Sequence, residues 1–213
     1  FLAREVTTGG GTVLTGVEVE RLIVSGRRVT GVRTQAGEFR ANRVVVAAGC
    51  HSGPILKSAG VALPIKPVTG YTRTFDAGSW SGVPRIPVID DAMHAAVGPI
   101  GNRLRVAGTA EFSGFDDSIQ NERIENLFDL LRALYPAIAD QLKVEHGRSW
   151  AGLRPVSADG VPFIGESGIE NLFVNAGHGH LGWSMAAGSA RLLTDLMLGN
   201  ETAVDPSSYQ LNR

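Results

Sequence analysis

Arg154 is the residue whose type and neighbours point most directly to chemistry. It stands in Gly152-Leu153-Arg154-Pro155. A guanidinium pairs with a carboxylate through two parallel hydrogen bonds. Pro155 stiffens the approach and Gly152 leaves room beside it. A structural ion pair with a buried Asp is the other role open to such an arginine. A second stretch, Gly177-His178-Gly179-His180-Leu181-Gly182, lies between an apolar run and a long segment without proline. Such a loop turns bare backbone N–H groups, backed by the positive end of a helix, toward something negative. An arginine fork and a helix N-terminus in one site suit a carboxylate and an electron-rich ring. His178 and His180 either add side-chain hydrogen bonds or are plain loop residues. No third ligand is apparent near the pair, so no metal site is expected.

Composition narrows the class of protein that could carry such a site. The 213 residues are enough for one or two domains with a real core. Twenty Lys and Arg balance 21 Asp and Glu. No basic stripe points to nucleic acid, so none is expected as a partner. The single cysteine, Cys50, excludes an intrachain disulfide framework and a cysteine-rich zinc site. It reads as a buried small hydrophobe rather than a nucleophile. No apolar run reaches the ~18–20 residues of a membrane span. The 27 glycines suit loops in which backbone approaches a ligand closely.

The elements that must position these residues follow from periodicity and turn chemistry. Residues 1–10 read as the tail of a helix stopped by Gly9-Gly10-Gly11. Residues 12–14 begin a strand, Val17, Val19 and Leu22 lie near a second, and residues 28–34 alternate as another. Gly37-Glu38 marks a hairpin turn. The run Val44-Val45-Val46 leading to Ala47-Ala48-Gly49 reads as a strand buried on both faces, as in a parallel sheet. Residues 54–59 form a short helix and residues 63–68 an extended segment. Short strands at 71–75, 85–89, 94–99 and 103–107 suggest an antiparallel sheet. Residues 116–135 pattern as an amphipathic helix with Ile119, Ile124, Leu127, Leu131 and Leu134 on one face, ended by Pro136. Residues 144–154 return as a strand, residues 172–175 form a buried strand, and residues 183–198 a helix stopped by Gly199-Asn200.

Four stretches, in this order along the chain, carry a resemblance. They are Gly31-Val32-Arg33-Thr34 leading to residues 44–53, residues 64–71 ending in Gly70-Tyr71, residues 150–165 around Arg154, and residues 171–184 around the glycine loop. Together they resemble the D-amino-acid dehydrogenase branch of the FAD-dependent amine and amino-acid oxidoreductases. Glycine oxidase, sarcosine oxidase and D-amino-acid oxidase are relatives of that branch. The resemblance implies an α/β (α+β) fold. A partial Rossmann-like FAD-binding domain, residues 1–63 and 150–213, would carry an inserted antiparallel-sheet substrate-binding domain, residues 64–149. No G-x-G-x-x-G follows a first strand, where the family carries that unit, and residue 1 is Phe. The chain is therefore expected to be a fragment whose missing N-terminal half is its partner in flavin binding.

By the same resemblance, Arg154 anchors the substrate carboxylate. Tyr71 either lines the flavin pocket or bonds the carboxylate, although a strand tyrosine is ordinarily core. Val19 meets the adenine, and Ala48 and Gly49 form the turn passing the FAD diphosphate and ribose. Gly177, His178, Gly179, Leu181 and Gly182 form the flavin-contacting loop. No cysteine occurs near that loop, so the FAD is expected to be non-covalent. The implied reaction is oxidative deamination of a D-amino acid to a 2-oxo acid and ammonia, by hydride transfer to flavin N5. It demands no acid–base side chain, and Asp159 reads as a turn residue. The electron acceptor is a quinone or oxygen. Arg73, Met93 and His94 are candidates, with Tyr71, for setting side-chain preference. The alternatives are a glycine- or sarcosine-type amine oxidase, and a non-catalytic flavin-site subunit. The implied location is the cytoplasm, with peripheral attachment at the inner membrane as a variant.

Overall fold

Helix α1, Leu2–Thr8, ends at Gly9, and Gly11 N–H closes back on the Val6 carbonyl. Residues 12–14, expected to begin a strand, are irregular, with Val13 and Leu14 exposed. A strand exists only with a hydrogen-bonded neighbour, and this run has none among the described residues. Strands β1 (Val19–Ser25), β2 (Arg28–Thr34) and β3 (Gly37–Arg40) form an antiparallel meander. Its second turn is Gln35-Ala36, earlier than Gly37-Glu38. Thr34 Oγ1 accepts from Ala36 N–H at 3.1 Å and donates to the Gly37 carbonyl at 2.9 Å, which tightens the chain there. A Cβ at Gly31, φ +156°, would collide with the Phe39 carbonyl of β3, so the close strand approach requires glycine.

Strand β4, Val44–Val46, runs into a 3-10 turn at Gly49–His51 and helix α2, Ser52–Lys57. Val45 is 39% exposed, against the expectation of burial on both faces. In the three-stranded sheet β4 is an outer strand, and only Val46 turns into the core. The helix is fixed from both sides: Ser52 Oγ accepts from Ala48 N–H, and Ser58 Oγ accepts from Leu22 N–H of β1, each at 3.0 Å.

Next come β5 (Ile65–Asp76), β6 (Val88–Asp90), β7 (Ala95–Ile100) and β8 (Arg103–Glu111). Helices α3 (Asn121–Leu134) and α4 (Pro136–Ala139) precede β9 (Gly147–Ser157). The five strands form one antiparallel sheet in the order β6-β7-β8-β5-β9. Helix α3 lays Ile124, Leu127, Phe128, Leu130 and Leu131 into a core with Tyr71, Phe75, Val97, Leu104 and Val106. It begins at Asn121 rather than residue 116. Asp116 Oδ1 takes the Ser118 N–H in a local turn, and the Asp116 carbonyl accepts from Thr69 Oγ1, so Ile119 is left exposed. Pro136 does end α3, and also opens α4 at its first position. Val144, expected to begin the last strand of this sheet, lies outside the described residues.

The chain closes with β10 (Phe163–Glu166), β11 (Leu172–Ala176) and helix α5 (Gly182–Leu198). β11 pairs antiparallel with β10 and parallel with β4. Leu192 and Leu193 of α5 pack on Ile164 and Phe173. Gly199, φ +70°, caps the helix in the left-handed conformation. Asp195, 3% exposed, accepts from Arg191 Nε at 2.6 Å and from Asn200 Nδ2 at 3.3 Å. The Arg191 hydrogen bond holds its carboxyl below the usual range, against the opposing effect of burial.

In the computed structural model, which describes residues 1–77, 80, 82–142 and 146–213, these elements divide into two compact units. One is Phe1–Pro64, Val161–Gly177 and Leu181–Arg213; the other is Ile65–Gly160 with His178–His180.

Tyr71 belongs to the core of the second unit. It is 1% exposed, and its hydroxyl donates to Glu111 Oε2 at 2.8 Å. Arg123 binds the other carboxylate oxygen at 2.8 and 3.1 Å. Burial first, then the bond to Glu111, pushes the Tyr71 phenol up to about 12. A raised phenol stabilises the fold fully below its ordinary value of 10.0, and that contribution is lost as pH rises through about 12. Ultraviolet titration is expected to show one late-ionising tyrosine, with the urea midpoint falling over this window. Tyr71→Phe removes both the late step and that fall. Leu131→Ala, at a fully buried position, is expected to cost about 2–5 kcal/mol in urea unfolding.

Candidate functional site

In an antiparallel sheet, residues directly opposite one another share a face, and successive residues alternate. Tyr71, Arg73 and Phe75 therefore point to the α3 side, with Ala151 and Ser149 opposite them on β9. Val68, Gly70, Thr72 and Thr74 point to the other side, together with Arg154, Gly152, Trp150 and Arg148. Arg154 is on this second face, which α3 does not cover.

Two glycines make the floor beneath it. Gly70 of β5 lies directly opposite Gly152 of β9. A Cβ at Gly70 would collide with Nη1, Nη2 and Cζ of Arg154. The guanidinium thus lies over the bare backbone of the middle strand and reaches β8, where Nη1 donates to the Thr109 carbonyl at 2.8 Å. The pairing of β5 with β8 shifts register between Thr69 and Tyr71, and Thr109 has φ +67°, rare for a β-branched residue. That local bulge sits where the carbonyl meets Arg154. A Cβ at Gly152 would collide with the Trp150 indole. Indole and guanidinium therefore rest over directly paired glycines.

Among the described residues no carboxylate pairs with Arg154, so the ion pair with a buried Asp is not seen. Burial pulls its pKa down, yet a guanidinium remains charged at any ordinary pH. The result is a half-buried cation fixed at one nitrogen by a neutral carbonyl. Such a group favours a planar anion on its remaining donors.

His178 is bridged to Val156, two residues along β9 from Arg154, and belongs to the same unit. Burial lowers its pKa, which favours the neutral imidazole. His180 is exposed. Tyr71, by contrast, is separated from Arg154 by the sheet itself. The structure places it in the core with Glu111 and Arg123, on the opposite face of the sheet. Arg73 shares its face and donates to Ser149 Oγ. Cys50 is buried, and burial raises its thiol pKa, as suits a small hydrophobe.

Gly179 is in the same unit as His178, and the remaining candidates lie in the first unit. β4 and β11 are parallel neighbours, with Val46 opposite Val174. Their carboxyl ends deliver Ala48-Gly49 and Gly177 to the same edge of the sheet. Gly49 has φ +55° and Gly177 φ +86°. Open α/β sheets bind ligands outside such strand ends. The Ala48 amide is already bonded to Ser52 Oγ. Leu181 and Gly182 open α5, whose N-terminus has no side-chain cap. A 3-10 turn at Gly179–Leu181 leads directly into it. Val19 begins β1, opposite Thr34, in the separate meander.

The residues that sequence reasoning missed are Trp150, Gly70 and Thr109. Glycines within strands signal a close approach, but only the register shows that Gly70 and Gly152 face each other. Nothing in the sequence marks Thr109 for a positive φ. Among the described residues no cluster could hold a metal ion, and no helix is long and apolar enough to cross a membrane.

Comparison with known proteins places the chain. It is 41% identical over 198 residues to the D-amino acid dehydrogenase of Allorhizobium ampelinum, covering 93% of this chain and 46% of that protein. It is 38% identical over 212 residues to the D-amino acid dehydrogenase of Bradyrhizobium diazoefficiens, covering 100% and 50%. The chain thus spans about half the length of these curated relatives. A protein of Halorhodospira halophila named an uncharacterized oxidoreductase in the pyp 5' region is 38% identical, with 100% and 96% covered. Glycine oxidase from Geobacillus kaustophilus superposes with TM-score 0.82 at 26% identity, over 100% of this chain and 56% of that one. L-proline dehydrogenase from P. horikoshii shares the fold, with TM-score 0.86 at 20% identity, over 99% and 57%. The family model for FAD dependent oxidoreductases matches residues 1–196, and the chain belongs to that family.

Proposed function

We propose that this chain carries the substrate-anchoring part, and part of the flavin-binding part, of an enzyme that oxidises D-amino acids to 2-oxo acids and ammonia. The observation that carries the reading is Arg154. Its guanidinium is half-buried, laid on Gly70, tied to the Thr109 carbonyl and paired with no carboxylate among the described residues. The names of the relatives at 38–41% identity favour D-amino acids over glycine.

In this reading the unit Ile65–Gly160 with His178–His180 binds the substrate, and the other unit contributes to FAD binding. Arg154 takes the carboxylate through two donors and fixes the amino acid in one orientation. The Trp150 indole beside it offers an apolar wall. The neutral His178 can donate or accept one hydrogen bond without adding charge. FAD, when bound non-covalently, supplies the acceptor for the α-hydrogen and its electron pair, and water then hydrolyses the imine. Positive-φ Gly49 and Gly177 at adjacent strand ends, and the uncapped α5 N-terminus, fit a ligand with a diphosphate and an electron-rich ring. The 213 residues show no G-x-G-x-x-G after a first strand, so flavin binding draws on a further segment. The electron acceptor is a quinone or oxygen, with the protein in the cytoplasm or peripheral at a membrane.

Steady-state kinetics of the flavin-loaded enzyme test the anchor. Arg154→Ala removes a charge-assisted pair worth about 1.5–3 kcal/mol. It is expected to lower kcat/KM for a D-amino acid roughly 10- to 150-fold, chiefly through KM. Gly70→Ala displaces the same guanidinium and is expected to move KM in the same direction with the flavin spectrum unchanged. An unaltered KM in Arg154→Ala would remove the carboxylate assignment.

A further inference from the structure

The face that carries Arg154 continues along β5, β8 and β9 into a second, chemically different region. Thr74 of β5 lies opposite Arg105 on one side and Arg148 on the other. One step further along, Asp76 lies opposite Arg103. All belong to the face of Arg154. A cavity of about 640 Å³ opens over these rows, with Trp150 at one end.

The geometry gathers the three guanidinium groups. β8 and β9 flank β5, so the backbones of Arg105 and Arg148 stand roughly 9–10 Å apart, with only a threonine between them. Arg105 Nε donates to Thr74 Oγ1 at 3.0 Å, which folds that side chain over the middle strand. Its two η nitrogens remain for another acceptor.

The charge is unbalanced. Among the described residues, Arg103, Arg105 and Arg148 line the cavity with one carboxylate, Asp76, and one histidine, His146. Among the described residues none of the three arginines takes part in an ion pair. Like charges collected on one concave surface repel one another, and a bound anion relieves that repulsion. A carboxylate satisfies one guanidinium fork. A phosphate, with three acceptor oxygens and up to two negative charges, matches several. The Trp150 indole, 60% exposed, supplies an apolar plane at the rim for the remainder of such a ligand. Arg148 lies six residues from Arg154 along β9, roughly 20 Å, so an amino acid held at Arg154 does not reach it.

We propose that this cavity is a second binding site, taking a phosphate group borne by a soluble molecule or a lipid headgroup. The test uses the 213-residue protein at low salt. Inorganic pyrophosphate is titrated in by calorimetry, and flotation is measured with phosphatidylcholine vesicles with and without phosphatidylglycerol. Saturable pyrophosphate binding without flotation identifies a soluble phosphate ligand. Flotation that needs phosphatidylglycerol and is competed by pyrophosphate identifies a headgroup. In either case the double variant Arg105→Gln, Arg148→Gln should weaken binding by about tenfold or more, as loss of two sets of charge-assisted donors predicts. The matching Lys double variant should retain more binding, and circular dichroism checks that each is folded. Should the Gln pair fail to fold, Arg103→Gln with the Lys pair gives the same comparison. Absence of binding to both probes, or equal binding by the folded Gln variants, overturns the site.

Discussion

A charged guanidinium half withdrawn from water has to be held by something, and the sheet around Arg154 is organised by that requirement. The middle strand gives up its side chain at Gly70 so that the cation can lie flat. The neighbouring strand β8 turns the Thr109 carbonyl toward it through a positive-φ residue at a register shift. The support is neutral and single, so the cation is positioned without being neutralised. A buried carboxylate would have fixed it equally well and left it nothing to bind.

The same strand of β5 serves two opposed environments, and alternation keeps them apart. On one face Tyr71 and Phe75 meet α3, and the polar chain Tyr71–Glu111–Arg123 there is closed by its own hydrogen bonds. Polar groups satisfied in this way rigidify a core. On the other face, glycines, threonines and arginines leave backbone floor and unpaired donors. A sheet stabilised from one side by a helix is free to spend its other side on recognition.

The first unit shows the related economy of parallel strands. β4 and β11 point the same way, so the turns that follow them meet at one edge, and both use glycines with positive φ. Helix α5 then starts without a side-chain cap while its far end is secured by Gly199, Asn200 and the buried Asp195. The two ends of this helix are treated differently: the carbonyl end is satisfied internally, and the amide end carries no side-chain cap.

Much of this was legible from local pattern. Glycine punctuation placed α5 and its stop, alternation placed β2, β7 and β8, and Gly152-Leu153-Arg154-Pro155 singled out the arginine, whereas the strand expected at 85–89 begins only at Val88. These signals rest on backbone preferences and periodicity, which act within a few residues. Residues 12–14 failed as a strand because a ladder needs a partner that local sequence does not name. Tyr71 stayed open between pocket and core because alternation separates two faces without saying which one a helix will cover; α3 packs on its face. The pairing of Gly70 with Gly152, the guanidinium and indole lying over them, and the unusual backbone at Thr109 depend on the register of three strands distant in sequence. The sequence alone therefore determined which residues could act, through local chemistry, while tertiary structure decided which face they share, because strand register and helix docking are settled only by long-range packing.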